Sequence, residues 1–235
     1  MIDAHCHLMD INNAEFSGLE AIANCGYDLN SSRKAIEMKK ALRGVVLYAN
    51  VGVGPQKCME TSVMQRVAEI ENLAREYAKD INAIGEVGLD YHWGDTPEKR
   101  ERQGKAFEAF IALAQELEKP LVIHSRETTS ECIKKIDQMK FEYGVMFHFF
   151  SGNASEAKEI VDRGLLISLP PLRGGRVAIA RECDLEALVA ETDAPYVGKT
   201  PLDVRKAIMM IAEAKEMSFE EVEKETSKNA REFFE

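Results

Sequence analysis

The chain has 235 residues, of which 45% are hydrophobic and 30% are charged, a composition that supplies a sizeable core and argues against intrinsic disorder. Its formal net charge of −10 argues against a protein that binds nucleic acid or acidic membranes over its whole surface, but it is compatible with a local basic site. No apolar run reaches the length of about 18 residues that predicts a transmembrane helix, and the N-terminus does not resemble a signal peptide.

The first predicted strand lies within residues 1–7 and ends in two histidines. Residues two apart in a strand point to the same face, so we expect His5 and His7 to project side by side while Cys6 points away. Two imidazoles placed in this way can bind one divalent ion. Because an isolated H-x-H pattern is more typical of ordinary strand histidines, the metal interpretation depends on the rest of the chain.

Short apolar segments then alternate with segments of helical periodicity along the whole chain. Strands are predicted within residues 1–7, 19–25, 44–49, 82–87, 120–124, 144–148, 165–169 and 188–193. Continuous apolar strands indicate a parallel sheet that is buried on both faces. Strand–helix repeats of this number predict an α/β protein with a (β/α)8 TIM barrel, a fold of about 250 residues. An open doubly wound sheet is the alternative, and in either case we expect a single domain over residues 1–235.

Several helices between these strands carry start signals. Ser31 or Ser32 is predicted to cap the first helix, and Thr96 is predicted at the N-cap of another, with Pro97 in its first turn. Two capping boxes are predicted further on, formed by Asn153 with Glu156 and by Ser218 with Glu221.

Side chains that can bind metal ions follow the apolar part of five of these strands. They are His5, His7, Glu86, His124, His148 and Asp193. In a barrel, the C-terminal ends of the strands meet at one mouth, where barrel enzymes have their active sites. Each residue alone has an ordinary explanation: a loop could satisfy the histidines, Glu86 could pair with Arg126, and Asp193 could make a turn. Their joint occurrence at strand ends favours a metal centre.

A mixed set of imidazoles and carboxylates is typical of hydrolytic sites with two metal ions, which activate a water and stabilise the leaving oxygen. We predict catalytic roles for Asp193 and Glu86, with Asp193 as the general base that accepts a proton from this water. The ligand set suits Zn²⁺ and Mn²⁺ best, and Mg²⁺ is the third candidate.

Basic and aromatic residues near these strand ends are candidates for substrate binding. We predict that Arg126, two residues after His124, binds a phosphate group. Further basic residues on the same side are Arg173, Arg176 and Lys199, for which simple exposure to solvent is the ordinary explanation. The aromatic residues at 91–93 either stack on a base or cover the barrel rim.

Five motifs carry a resemblance to a known family. They are Asp3-Ala4-His5-Cys6-His7, Gly85-Glu86-Val87-Gly88-Leu89-Asp90-Tyr91, Val122-Ile123-His124-Ser125-Arg126, His148-Phe149-Phe150-Ser151-Gly152 and Glu191-Thr192-Asp193-Ala194-Pro195. In this order, and across nearly the whole chain, they resemble the signatures of the TatD family of metal-dependent hydrolases. The resemblance implies a TIM barrel, two divalent metal ions and a deoxyribonuclease-type activity. The ligands that it implies are His5, His7 and Asp193 for one ion and His124 and His148 for the other, with Glu86 bridging the two.

The chain departs from the family's pattern in three places. The first helix after His7 is missing or much reduced, and Gly52-Val53-Gly54-Pro55 lacks the histidine of the family's Gly-x-His-Pro motif. The loop after Pro195 is short and lacks the Arg-Asn-Glu-Pro segment that is usual in the family. These departures affect the loops around the site and not the implied metal ligands.

Three functions from different classes are compatible with these residues. The first is a metal-dependent phosphodiesterase or exonuclease that takes DNA at the barrel mouth. The second is a hydrolase of a small amide, ester or lactone, because related barrels use similar ligands. The third, a binding protein with a remnant site, is disfavoured by the complete ligand set. Glu86 stands where many amidohydrolase-type barrels place a carbamylated lysine, which favours the first function.

The cysteines indicate the compartment in which the protein works. They are Cys6, Cys25, Cys58, Cys132 and Cys183, an odd number of widely spaced residues without a C-x-x-C motif. This pattern is typical of free thiols, because disulfides are rare in reducing compartments. We therefore expect a cytoplasmic protein without disulfide bonds, membrane association or an obligate protein partner.

Overall fold

A computed structural model describes all of residues 1–235. Its eight strands are β1 (Ile2–Cys6), β2 (Ala21–Cys25), β3 (Val46–Val51), β4 (Ala83–Asp90), β5 (Leu121–Arg126), β6 (Val145–His148), β7 (Leu166–Leu169) and β8 (Leu188–Ala190). The helices are α1 (Leu29–Ala41), α2 (Val63–Glu76), α3 (Pro97–Glu116), α4 (Thr129–Met139), α5 (Ala154–Val161), α6 (Gly175–Glu182), α7 (Val204–Lys215) and α8 (Phe219–Phe234).

The strands follow one another in the sheet in the order β1 to β8 and pair in parallel, with helices between most of them. A consecutive order is that of a (β/α)8 barrel, whereas the strand order of a doubly wound sheet reverses at its switch point. The predicted TIM barrel is therefore confirmed, and the doubly wound alternative is wrong. None of the helices combines the length and the apolar character needed to cross a bilayer.

The chain divides into two compact units. The first unit comprises Met1–Asn24, Ala41–Tyr48 and Met146–Glu235, and the second comprises Cys25–Lys40 and Ala49–Val145. The expectation of a single domain over residues 1–235 stays a prediction.

In the first unit, the pairing of β1 with β2 is irregular at the level of the first histidine. Ile2 pairs with Ala21 and Asp3 with Ile22, but the register shifts before Cys6 pairs with Asn24. Every residue of β1 is buried, and α8 packs against β1 and β8. These contacts fix the position of β1 and therefore of His5.

In the second unit, β4 is buried over its full length and pairs closely with β5. At Gly88 the backbone has φ 134°, and an added Cβ would lie 2.2 Å from the carbonyl oxygen of His124. Only glycine fits this backbone conformation and this approach of two strands. The glycine therefore sets how closely β4 and β5 lie beside His124.

Two boundaries differ from the prediction in a way that matters for the site. β4 continues to Asp90 and β5 to Arg126, so Glu86 and His124 lie within strands and not at their ends. Val87 pairs with Ile123, and Asp90 pairs with Arg126. Because of this pairing, both strands continue beyond Glu86 and His124, the polar residues at which the apolar pattern in the sequence ends.

Most of the predicted N-terminal caps of the helices are confirmed. Thr96 caps α3, and both predicted capping boxes are present at α5 and α8. The predicted cap of α1 by Ser31 or Ser32 is wrong, because α1 begins earlier and the Asp28 carboxylate accepts the hydrogen bond from the Ser31 amide at 2.8 Å.

Candidate metal centre

The first group of candidate ligands lies at the C-terminal end of β1. His5 and His7 project to the same side, as strand parity predicts, and their Nε2 atoms lie 3.4 Å apart. Both rings are buried. Two neighbouring nitrogens in a buried position are suited to share a cation, since neutral imidazole is a preferred ligand of divalent transition metals.

Asp193 completes this group from the segment that follows β8. Its backbone has φ 48°, in the left-handed region that aspartate tolerates better than most residues, and its amide donates to the carbonyl of His5 at 2.9 Å. This turn brings Oδ1 to 3.4 Å from His7 Nε2 and 3.9 Å from His5 Nε2. The ligand atoms of all three residues lie within 4.8 Å of one another, so the donor set fits one divalent ion.

A buried acid that the sequence analysis missed supports the turn before Asp193. Asp3 accepts hydrogen bonds from the Thr192 amide at 2.9 Å and from its hydroxyl at 2.6 Å. Burial raises the pKa of Asp3 to about 8, against the lowering effect of the bonds from Thr192 and the His5 amide. Its spacing from His5, two residues along the same strand, was the available signal, because it puts both side chains on one face.

His148 lies at the end of β6 and stacks on His5. The ring centroids are 3.8 Å apart and the ring planes differ by 9°. Nδ1 of His148 lies 3.8 Å from the buried carboxylate of Glu191, which accepts hydrogen bonds from the Phe149 amide at 2.8 Å and from the hydroxyl of Ser168. Burial, followed by the charge of Asp193, raises the pKa of Glu191 well above its usual range. Glu191, also missed from sequence, is thus a buried carboxylate close to His148.

In the second unit, two carboxylates hold the ring of His124. Glu86 Oε1 lies 3.1 Å from Nδ1, and Asp90 Oδ2 lies 3.0 Å from Nε2. Burial alone would lower the pKa of His124, but the bonds and charges of Asp90 and Glu86 raise it to about 9. A metal ion that binds this imidazole must therefore displace a proton from it. Glu86 thus pairs with His124. Neither ordinary explanation, a loop that satisfies His124 or a pair between Glu86 and Arg126, anticipated this contact.

Asp90 is the third acid that the sequence analysis missed. It is fully buried, and it accepts hydrogen bonds from the Gln56 side chain at 3.1 Å and from the Trp93 amide at 3.2 Å. Burial works against its ionisation, but the bond and charge of His124 lower its pKa overall. Asp90 lies four residues after Glu86 and thus on the same strand face, a signal that becomes visible only if β4 is known to continue.

The predicted substrate-binding residues are placed differently from one another. Arg126 is exposed at the end of β5, and its charge contributes to the lowered pKa of Asp90. Arg173 donates to Glu213 at 2.8 Å on the surface, whereas Arg176 is half-buried over the ring of Phe149. Lys199 is exposed.

The aromatic residues after β4 also separate into two kinds. The hydroxyl of Tyr91 donates to Glu131 at 2.6 Å, and Arg100 lies 4.5 Å from the centre of its ring. These contacts hold Tyr91 against α3 and α4, as expected for a residue that covers the rim. Trp93 is 53% exposed, and its ring meets that of His92 edge-on with the centroids 4.8 Å apart.

Comparisons with known proteins cover the full length of the chain. The sequence model of a family described as TatD related DNase matches residues 2–235. An uncharacterized metal-dependent hydrolase of Methanocaldococcus jannaschii is 32% identical over 251 residues, which cover 99% of this chain and 96% of that protein. Deoxyribonuclease TATDN3 of Homo sapiens is 28% identical over 260 residues, covering 100% of this chain and 94% of the human protein. The crystal structure of YJJV, a TatD homologue from Escherichia coli K12, superposes with a TM-score of 0.88 at 20% identity, covering 100% and 97% of the two chains.

Proposed function

This chain belongs to the TatD family and is a metal-dependent hydrolase, and from that premise we propose that it is a deoxyribonuclease that uses two divalent metal ions. The observation that carries the proposal is the group of His5, His7 and Asp193, whose ligand atoms lie within 4.8 Å of one another. A relative that covers its full length, human TATDN3, is named a deoxyribonuclease. We propose DNA or another phosphodiester as the substrate on this basis.

We extend to this chain the ligand sets implied by the family's motifs. His5, His7 and Asp193 would hold one ion, His124 and His148 would hold the other, and Glu86 would bridge them. Their chemistry supports this, because four imidazoles and two carboxylates suit Zn²⁺ or Mn²⁺, with Mg²⁺ less favoured. When bound, the ions would supply Lewis-acid activation of a water and of the phosphoryl oxygens.

Exposure distinguishes Asp193 from the other acids near His5. The side chain of Asp193 is 15% exposed, whereas the side chain of Glu191 and the whole of Asp3 are fully buried. Only Asp193 among the three can therefore meet a water molecule that enters with the substrate. In the proposed mechanism it accepts the proton of the attacking water as the general base while the water oxygen bonds to phosphorus. The bond from phosphorus to the leaving oxygen breaks, and the leaving oxygen takes up a proton from solvent.

Arg126 is the proposed contact for the phosphate backbone of the substrate. Its guanidinium is exposed at the end of β5, two residues beyond His124. With a net charge of −10, the protein lacks a general attraction for DNA and needs such a local contact. The short loop after Pro195 leaves little to grip a duplex, so we propose that chain ends and short single strands are preferred.

An assay on two substrate classes tests the proposal. The purified protein is incubated with single-stranded DNA and, separately, with a panel of amides, esters and lactones, each with added Mg²⁺, Mn²⁺ or Zn²⁺. Metal-dependent cleavage of DNA that a chelator abolishes supports a nuclease. Hydrolysis of a small molecule without cleavage of DNA would favour the alternative function, which the missing Arg-Asn-Glu-Pro segment supports.

A further inference from the structure

We infer that Arg176 is a substrate-binding residue whose guanidinium holds an oxyanion of the substrate beside His148. The oxyanion is a phosphate if the proposed function holds, and the inference in this form rests on it. Arg176 lies at the start of α6, and exposure to solvent was its ordinary explanation.

The local backbone and one ring contact place Arg176 at the end of β6. Gly174 has φ 76°, a conformation that favours glycine, and α6 begins at the next residue. Cζ of Arg176 then lies 4.8 Å from the centre of the Phe149 ring. Because Phe149 directly follows His148, this contact places the guanidinium beside the end of β6.

The guanidinium of Arg176 lacks a partner for its charge. Its Nε is buried and donates no hydrogen bond, and no carboxylate forms an ion pair with the side chain. A buried donor without a partner is costly, and most such groups in folded proteins are satisfied. Arg173, three residues earlier, shows the usual arrangement, since it donates to Glu213 at 2.8 Å.

Glu191, the acid that attracts the charge of Arg176, does not serve as that partner. Glu191 attracts Arg176 electrostatically, but burial is the larger influence and lowers the pKa of the guanidinium. The oxygens of Glu191 accept from the Phe149 amide and from the hydroxyl of Ser168. The donors of Arg176 are therefore left for a molecule that arrives from outside.

The chemistry of the side chain indicates which molecule this is. A guanidinium is a planar fork that binds phosphate oxygens with two parallel hydrogen bonds, and stacking on an aromatic ring holds its plane. Phe149 supplies that stacking. A substrate phosphate beside His148 would meet a positively charged donor held at a fixed orientation. Arg176 would therefore bind the phosphate and also stabilise the charge that develops on it during the reaction.

The test compares R176A and R176K with R173A, a matched control that removes a paired surface arginine from the loop just before α6. Binding of inorganic phosphate to the metal-loaded proteins is measured by titration calorimetry, alongside kcat and KM on a short single strand. We expect R176A to weaken phosphate binding by about tenfold or more and to lower kcat/KM, R176K to fall between, and R173A to match wild type. Melting temperature and metal content are checked for each, and R176Q, which keeps the aliphatic stem on Phe149, replaces R176A if that variant does not fold.

The outcomes separate this inference from the proposed function. If R176A and R173A bind phosphate and cleave DNA equally well, Arg176 is not a substrate-binding residue, whereas the nuclease proposal stands. If wild type binds phosphate through Arg176 but cleaves no DNA, the anion site stands and the nuclease proposal does not.

Discussion

The carboxylate of Asp90 lies 3.0 Å from Nε2 of His124, on the neighbouring strand of the second unit. Its second oxygen accepts from the Trp93 amide, and Gln56 donates to the oxygen that faces the ring. A carboxylate fixed in this way fixes the imidazole, and partners of this kind govern how well a histidine binds metal.

We therefore expect D90N to weaken metal binding by about 10–100-fold, because the amide neither charges nor orients the ring as the carboxylate does. Isothermal titration of the apoprotein with Zn²⁺ or Mn²⁺ would measure this change. D162N, in an exposed ion pair with Lys158, is the matched control and should bind as wild type does. Equal affinities for D90N and D162N would rule out a role for Asp90 in metal binding.

Metal analysis tests the number of ions. Six candidate ligands are enough for a paired site, so elemental analysis after dialysis at saturating metal should give about two ions per chain. The variant H5A/H7A removes two of three ligands from one set and should retain about one. A wild-type value of one or none would contradict the two-metal proposal.

D193N should abolish most hydrolysis while leaving the fold intact. The substitution deletes a proton acceptor and weakens a ligand, and general bases contribute about 10²–10⁴-fold to rates. Asparagine also tolerates the left-handed backbone found at φ 48°, so no strain is added. The measurements are kcat on the identified substrate and the melting temperature. Near wild-type turnover would transfer the role of base to Glu86.

R126A should raise KM for an oligonucleotide without changing metal content. Arginine does not bind metal, so removal of the exposed guanidinium at the end of β5 should leave the implied metal ligands intact. Only a few phosphates would be contacted, so affinity should fall mildly with added salt, unlike that of a binder that makes about 6–10 contacts. An unchanged KM would remove Arg126 from the substrate site.

The cysteines should resist modification in the folded protein. All five are buried thiols outside any disulfide bond, and burial raises the pKa of Cys58 and of Cys132 to about 12. Ellman's reagent at pH 8 should therefore titrate few thiols in native protein and about five after denaturation. Because the folded pKa values are raised above 9.0, their contribution to stability is complete below that pH and is lost as pH rises toward 12.

Rules that act over a few residues predicted the site best. Strand parity placed His5 and His7 together, and the capping boxes at α5 and α8 depend only on residues three apart. The order of the strands also followed from their apolar segments.

What could not be predicted depends on contacts between distant segments. The continuation of β4 to Asp90 is set by its pairing with β5, so an apolar pattern that breaks at Glu86 hides the acid beyond it. Glu191 and Asp3 are ordinary acids in sequence, and only the fold buries Glu191 close to His148 and Asp3 against Thr192.

The fit of Gly88 against the carbonyl of His124 has a consequence for how this enzyme could be mapped by mutation. A methyl group there would lie 2.2 Å from that oxygen, so β5 would have to move and carry the imidazole away from its two acids. A scan that scores lost metal or lost turnover would then rank Gly88 with the ligands, although it donates no atom to an ion. Loss of function in a genetic screen of β4 thus reflects either a changed spacing between the strands or the loss of a metal ligand. Only spectroscopy of the atoms that coordinate the metal separates these two causes.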